Sequence, residues 1–384
     1  MSDTYCPLAW VGRNILPTSI QPCCQWHGIG DPVDSSTEIG HSPLFLNARE
    51  KMIKGEKVAG CRQCYREEDS GVKSRRLIEL EKYGVVDVVE SKVLDVSFDN
   101  ICNLKCRGCA SGASHLWFAD EKEIYGDTFF DSKYIENNIN IDFSGLEVIA
   151  VSGGEPFLSK KFDSFAKQLL LTQKAKDISL TINTNATVKP TPAVYDLILQ
   201  CKSLSLQFSI DGIGHLNSYF RSGSKFEDCE SNLNFFRNLK TLRQEKSTSL
   251  VIHTTVSLYN VNLLKDMEDY FQINYPEYTL THRNVYWPPQ LSIRNLPQKY
   301  KEILIPIVEN FGDDYKDVLY ELTLNEQDYF NHFLNFHDKL DLLRQESLKD
   351  SNPLLSEFIK TYPRELIDSK MFFIEQMEAL KCGT

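Results

Sequence analysis

The chain has 384 residues, 42% hydrophobic and 25% charged, with a formal net charge of −11; this suits a globular protein with a real core, built as one large domain with attachments or as two. The negative balance excludes general nucleic-acid binding, which needs clustered Lys and Arg. No apolar run reaches the roughly 18–20 residues of a membrane span, and the first residues lack the basic start and apolar stretch of a secretory signal, so a cytoplasmic protein without membrane contact is expected.

Residues 1–75 are rich in Cys, Pro and Gly and show little periodicity. Such a segment buries too little to hold itself together and calls for a metal staple. Of the eleven cysteines, eight fall within the first 109 residues, several in tight clusters; in a reducing compartment such spacing serves metal or redox chemistry. The basic run at Lys73, Arg75 and Arg76 reads as a solvated helix face. From residue 93 onward, short β-branched runs at 93–98, 147–152, 178–183, 204–210, 250–257 and 278–285 alternate with helix-length segments at 160–173, 191–201, 226–243 and 260–272. This alternation predicts an α/β fold whose parallel sheet has right-handed crossovers, and an open doubly wound sheet and a partial barrel both fit it. After residue 297 the pattern is helical, as in the spacing of Tyr329, Phe333, Phe336 and Leu340. The expected division is 1–75, 90–297 and 298–384, with the last region capping the barrel's mouth or presenting substrate.

Directly after the first predicted strand stand Cys102, Cys106 and Cys109, spaced C-x3-C-x2-C. Three thiolates on a short loop can bind three irons of a cubane and leave the fourth iron open. A structural zinc would need a fourth ligand, which His115 could supply. Three unrelated buried cysteines are a poor account of this spacing. The motif resembles the signature of the radical S-adenosylmethionine (SAM) superfamily. Further stretches are similar to that family's SAM-binding motifs: Gly153-Gly154-Glu155-Pro156 after the second strand, Asn183 and Asn185 after the third, Ser209, Asp211 and Arg221 around the end of the fourth, and Asn260 after the fifth.

The resemblance implies a [4Fe-4S] cluster on the three cysteines and SAM on the open iron. Reductive cleavage then gives a 5′-deoxyadenosyl radical that modifies a substrate. It further implies that Gly153 and Gly154 meet the SAM ammonium, that Asn183 or Asn185 meets the ribose, and that Ser209 and Arg221 meet ribose and carboxylate. For Asn183 and Asn185 an Asx-turn is an equal reading, Asp211 has a loop-capping alternative, and for Val256 core packing is the better one. The bulky residue that family members often carry before the third cysteine is Gly108 here. The fold so implied is a partial (β/α)6 TIM-type barrel with its ligands at the C-terminal strand ends, and the electron donor a flavodoxin or ferredoxin. The substrate is open, with a peptide among the candidates.

Cys6-Pro-Leu-Ala-Trp10, Pro22-Cys23-Cys24 and Cys61-x-x-Cys64 are similar to the auxiliary-cluster modules called SPASM and twitch domains. The resemblance implies a second Fe–S cluster on Cys6, Cys61, Cys64 and one of Cys23 and Cys24, although the module stands before the barrel here rather than after it. A zinc ribbon on the same ligands is the bland rival. Cys201 and Cys229 read as small buried hydrophobes and Cys382 as part of the chain's tail; each also carries a remote reading as a hydrogen-atom donor. Two other functions stay open: a zinc-stabilised binding protein without catalysis, and SAM-dependent methyl transfer.

Overall fold

The computed structural model describes the backbone of residues 3–28, 30–32, 40–137, 141–244, 246–324, 329–365 and 367–382. Three short strands come first: β1 (Gly12–Ile15), β2 (Ser19–Gln21) and β3 (Asp31–Pro32). Helices Pro43–Lys54, Arg62–Asp69 and Arg75–Tyr83 follow. Six further strands then alternate with helices: β4 (Val93–Ser97), β5 (Val148–Ser152), β6 (Ser179–Thr184), β7 (Ser203–Ser209), β8 (Thr248–Val256) and β9 (Thr279–Asn284). All six run parallel, each paired with the next in sequence.

The period of two decides what each face meets. Leu180, Ile182, Leu204, Leu206, Phe208, Leu250 and Ile252 are buried in a core shared with the crossover helices. The alternate residues Thr181, Ser205 and Gln207 are only half-buried and face a polar lumen. The helices start where the sequence supplies acceptors for their free N–H groups: Ser159 accepts from Phe162 N–H and Thr191 from Val194 N–H. The segment expected as one helix over 226–243 is two, Phe226–Phe236 and Leu239–Leu242.

The N-terminal segment departs from its irregular reading. It folds into helices around its own small core of Tyr5, Leu8, Trp10, Val11, Ala48 and Met52, residues too far apart in sequence to make a periodic pattern. It also joins the barrel's sheet, because β1 pairs in parallel with β4, Gly12 opposite Val93. The sheet therefore runs β3-β2-β1-β4-β5-β6-β7-β8-β9 without a break. The basic run does not form a solvated face. Arg76 is buried and pairs with Glu68 at 2.6 Å, Arg75 pairs with Asp95 of β4 at 2.8 Å, and only Lys73 lies at the surface, against Glu81.

After β9 the chain is helical, as expected, with helices Gln298–Glu309, Lys316–Thr323, Phe330–Arg344 and Pro353–Thr361 around a second core. Helix Phe330–Arg344 packs behind the loop that follows β4, its Phe336 ring stacked on Trp117 at 6.1 Å. No helix among the described residues is long and apolar enough to cross a membrane.

Candidate active site

The loop after β4 carries Cys102, Cys106 and Cys109, and its shape is set by its own polar groups. Asp99 accepts from Ile101 N–H at 3.1 Å and from the Ser159 hydroxyl at 2.5 Å. Asn100 donates to the carbonyls of Ser111 and Lys133. The Trp117 indole donates to the Cys106 carbonyl at 2.8 Å, and the Ser114 hydroxyl to the Leu104 carbonyl at 2.6 Å. The backbone N–H groups of Lys105 and Arg107 reach the carbonyls of Ser222 and Phe220, which ties the loop to the segment after β7. His115 is part of this bracing, since its Nδ1 accepts from Cys102 N–H at 3.3 Å.

A cavity of about 210 Å³ opens over the C-terminal ends of β4 to β8. The three cysteines of the loop line it together with Gly153, Gly154, Asn183, Asn185, Ser209, Asp211 and Arg221. Burial pushes the Cys102 thiol up to about 12 and raises Cys106 and Cys109 as well; thiolates so placed need a metal charge beside them. Among the described residues no three Cys, His, Asp or Glu side chains close on a single point as one metal ion requires. A cubane's three ligands sit on three different irons.

The two glycines cannot be replaced without moving the loop. Gly153 has φ +124°, and a Cβ on Gly154 would overlap the Ile101 carbonyl. Their backbone lies against the cysteine loop because Gly154 N–H donates to the Asp99 carbonyl and Glu155 N–H to that of Ile101. Arg221 is buried, pairs with Asp211 at 2.8 Å and lies 3.8 Å from Cys106 Sγ, while its Nε has no partner. A guanidinium with a free donor beside three thiols and two bare glycines fits SAM, whose amino-acid end brings a carboxylate and an ammonium.

Two expected cofactor contacts lie elsewhere. Glu155 is buried beneath the cavity and accepts from Asn185 N–H at 2.7 Å, the Thr184 hydroxyl at 2.8 Å and Phe157 N–H at 3.1 Å. It braces the end of β6, and burial lifts its carboxyl to about 7. Asn260 is also buried: it donates to the carbonyls of Asp211 and Thr255 and accepts from Ser257 N–H, locking β7 to β8. Val256 lies in the second core, and Thr255 faces the cavity in its stead. Phe220 went unread in the sequence. Its ring lies 3.2 Å from where a Cβ of Gly108 would stand and lines the cavity, so it supplies the bulk that the position before the third cysteine lacks. Its place next to Arg221 was the available signal.

In the N-terminal segment Cys6, Cys61 and Cys64 are buried and Cys23 is half-buried. These four are electrostatic neighbours: after burial, Cys64 acts on the thiol of Cys6, then Arg75, Cys24, Cys6 and Cys61 on that of Cys23, and Cys6 and Cys64 on that of Cys61. Cys24, beside Cys23, is held by an arginine. Its sulfur accepts from the Arg75 guanidinium, and its charged neighbours are Arg75, Asp95 and Arg283. Cys201 and Cys229 are fully buried in the first core; the Cys382 side chain lies outside the described residues.

Residues 96–271 match the Radical SAM superfamily. Just under half of the chain therefore resembles the enzymes of that superfamily. That superfamily's cofactors are a [4Fe-4S] cluster and SAM, and the matched segment coincides with the strands that line the cavity. Over 114 residues the chain is 30% identical to GTP 3′,8-cyclase of Aliarcobacter butzleri, which covers 29% of this chain and 33% of that protein. Over 107 residues it is 31% identical to the same enzyme of Campylobacter curvus, covering 28% and 30%. The chain thus spans about a third of the length of these curated relatives. Similar solved structures include anSMEcpe with bound AdoMet and a peptide, at 18% identity and TM-score 0.36 over 67% of this chain and 66% of that one. Another is Streptococcus suis SuiB bound to S-adenosylmethionine, at 13% identity and TM-score 0.33 over 76% and 53%.

Proposed function

We propose that the chain cleaves SAM reductively at a [4Fe-4S] cluster on Cys102, Cys106 and Cys109 and uses the resulting 5′-deoxyadenosyl radical to modify a peptide or protein. The observation that carries this reading is the single cavity that unites the three thiols with Gly153, Gly154 and Arg221. Bound there, the cluster and SAM supply the electron and the radical. The chain's own residues hold the reactants in place. Arg221, neutralised by Asp211, offers a donor to the SAM carboxylate, and the bare backbone at Gly153 and Gly154 admits the ammonium. Asn183, Asn185 and Ser209 offer hydrogen bonds to the ribose, and Phe220 keeps water from the face of the loop. A peptide or protein substrate suits the half-buried polar lumen beneath the cavity, since Thr181 and Gln207 can bond main-chain amides.

A second Fe–S cluster on Cys6, Cys23, Cys61 and Cys64 belongs to the same reading, with Cys24 left over because Arg75 holds it. The cluster would relay electrons or anchor substrate, with a flavodoxin or ferredoxin as donor. The decisive assay is 5′-deoxyadenosine release under dithionite. The wild type should release it, and the Cys102→Ala/Cys106→Ala/Cys109→Ala variant should not, while keeping the iron of the N-terminal set. Release by the triple variant, or S-adenosylhomocysteine as the wild-type product, overturns the proposal.

A further inference from the structure

Among the described residues strand β9 ends the sheet, paired with β8 on one side and with no strand on the other. Among the described residues no backbone group bonds to its outer edge. Val285 N–H, just past the strand, points inward to the Val256 carbonyl at 2.9 Å. By the alternation of a parallel strand, the N–H and C=O groups of Leu280, His282 and Asn284 therefore point outward. Such an edge is a template for another chain unless something covers it.

A second cavity, of about 440 Å³, runs along this edge. Leu280 and His282 from one face of β9 and Thr281 from the other all line it, with Val72 and the carboxylates of Glu268, Asp314 and Asp317 around them. Two of those acids are engaged: Asp317 holds His282 at 3.0 Å and Glu268 holds Lys265 at 2.9 Å. Asp314 is exposed and has no cationic partner among the described residues. On the opposite face of β9, Arg283 stands in register with Thr255, which lines the SAM cavity. Arg283 pairs there with Glu67 of helix Arg62–Asp69 at 3.3 Å, so one side of the edge faces the barrel's lumen and the N-terminal segment and the other faces the acid-lined cavity.

We propose that β9 takes up substrate as an extended peptide that adds a strand to its open edge. Successive side chains of a strand point to opposite faces, so the reacting residue faces the lumen and a Lys or Arg directly beside it in sequence enters the acid-lined cavity. Val72 and Asp314 both line this cavity of about 440 Å³, a space that suits a single strand rather than the broad edge of a second copy. The inference rests on the cavity at Cys102, Cys106 and Cys109 being the SAM site.

The test uses the anaerobically reconstituted full chain with SAM and three fluorescein-labelled heptapeptides: alternating Ser and Lys, alternating Ser and Glu, and the Ser/Lys peptide N-methylated at every second residue. Anisotropy should show saturable binding of the Ser/Lys peptide, with the other two about tenfold or more weaker. The Asp314→Lys variant should lose about fivefold for the Ser/Lys peptide and gain for the Ser/Glu peptide. The N-methylated peptide keeps the charge, so its binding as tightly as its parent overturns strand addition. An unchanged preference in Asp314→Lys overturns the basic pocket. A dimer seen by sedimentation that excludes the peptides gives the edge to a second copy and overturns the proposal. Equilibrium dialysis of SAM on the same samples separates the two readings: lost SAM binding is a failure of the cofactor site, and retained SAM binding without peptide binding overturns the docking edge alone.

Discussion

Between Cys106 and Cys109 lies a fully buried cation, and removing it tests what the C-terminal helices do. Arg107 has no exposed surface, and one of its terminal nitrogens reaches Asp341 and Glu346, each at 2.6 Å. Its Nε donates to the Tyr219 carbonyl at 3.1 Å, and its guanidinium stacks 3.8 Å from the Tyr219 ring centroid. Arg344 completes the clamp through Asp120 at 2.8 Å and the Lys105 carbonyl. Changing Arg107→Met keeps most of the apolar stem and strands two carboxylates. Breaking a buried pair costs about 3–5 kcal/mol, and because Asp341 and Glu346 are about one-fifth exposed the lower end, about 3 kcal/mol, is expected. Urea denaturation of the anaerobic protein reads the loss, and iron analysis should show poorer retention at the SAM cluster, because the clamp holds the backbone on either side of Cys106. The triple variant Arg107→Met/Asp341→Asn/Glu346→Gln should recover part of the stability, since it leaves no unpaired charge. If Arg107→Met unfolds at the wild-type urea concentration and keeps its full iron, helix Phe330–Arg344 does not hold the cluster loop.

Two further outcomes follow from the same geometry. Cys23→Ala should lose the iron of the N-terminal set while Cys24→Ala keeps it, as counted on reconstituted protein; the opposite pattern would exchange the roles of the two thiols. His337 lies in contact with the Tyr219 and Tyr259 hydroxyls, and burial lowers it to about 3. A histidine held neutral contributes stability that is complete above its unfolded value near 6.5 and is lost as pH falls toward 3. His337→Phe should therefore lose less stability than wild type between pH 7 and pH 5 in urea titrations, and equal losses would mean that the ring is protonated in the fold.

The barrel strands were legible because β-branched runs a few residues long, bounded by polar residues, have few other uses. The structure places all six within two residues of their expected ends. The cysteine loop and the glycine pair were legible because their spacing is local. What escaped the sequence is non-local. Arg107 meets Asp341 across 234 residues, and no pattern in a helix reports a partner so distant. Phe220 fills the space at Gly108 from another loop. The resemblance to the family's motifs points to Glu155 and Asn260 as ligand contacts; burial turns their polar groups onto the backbone, where an unpaired group would be costly. The N-terminal strands are two to four residues long and give no alternation to read.

The pairing of β1 with β4 also sets an order of assembly. Gly12 leaves the ribosome 81 residues ahead of Val93, the partner it meets in the sheet. At about 5–20 residues per second, β1 waits roughly 4–16 s for that partner; Cys6 is already out, and Cys23, Cys24, Cys61 and Cys64 emerge during the wait. Until β4 appears, the nascent thiol-rich segment has only β2 to pair with, so it stays open to oxidation and to stray metals, and a cell that makes this protein benefits from shielding it for those seconds.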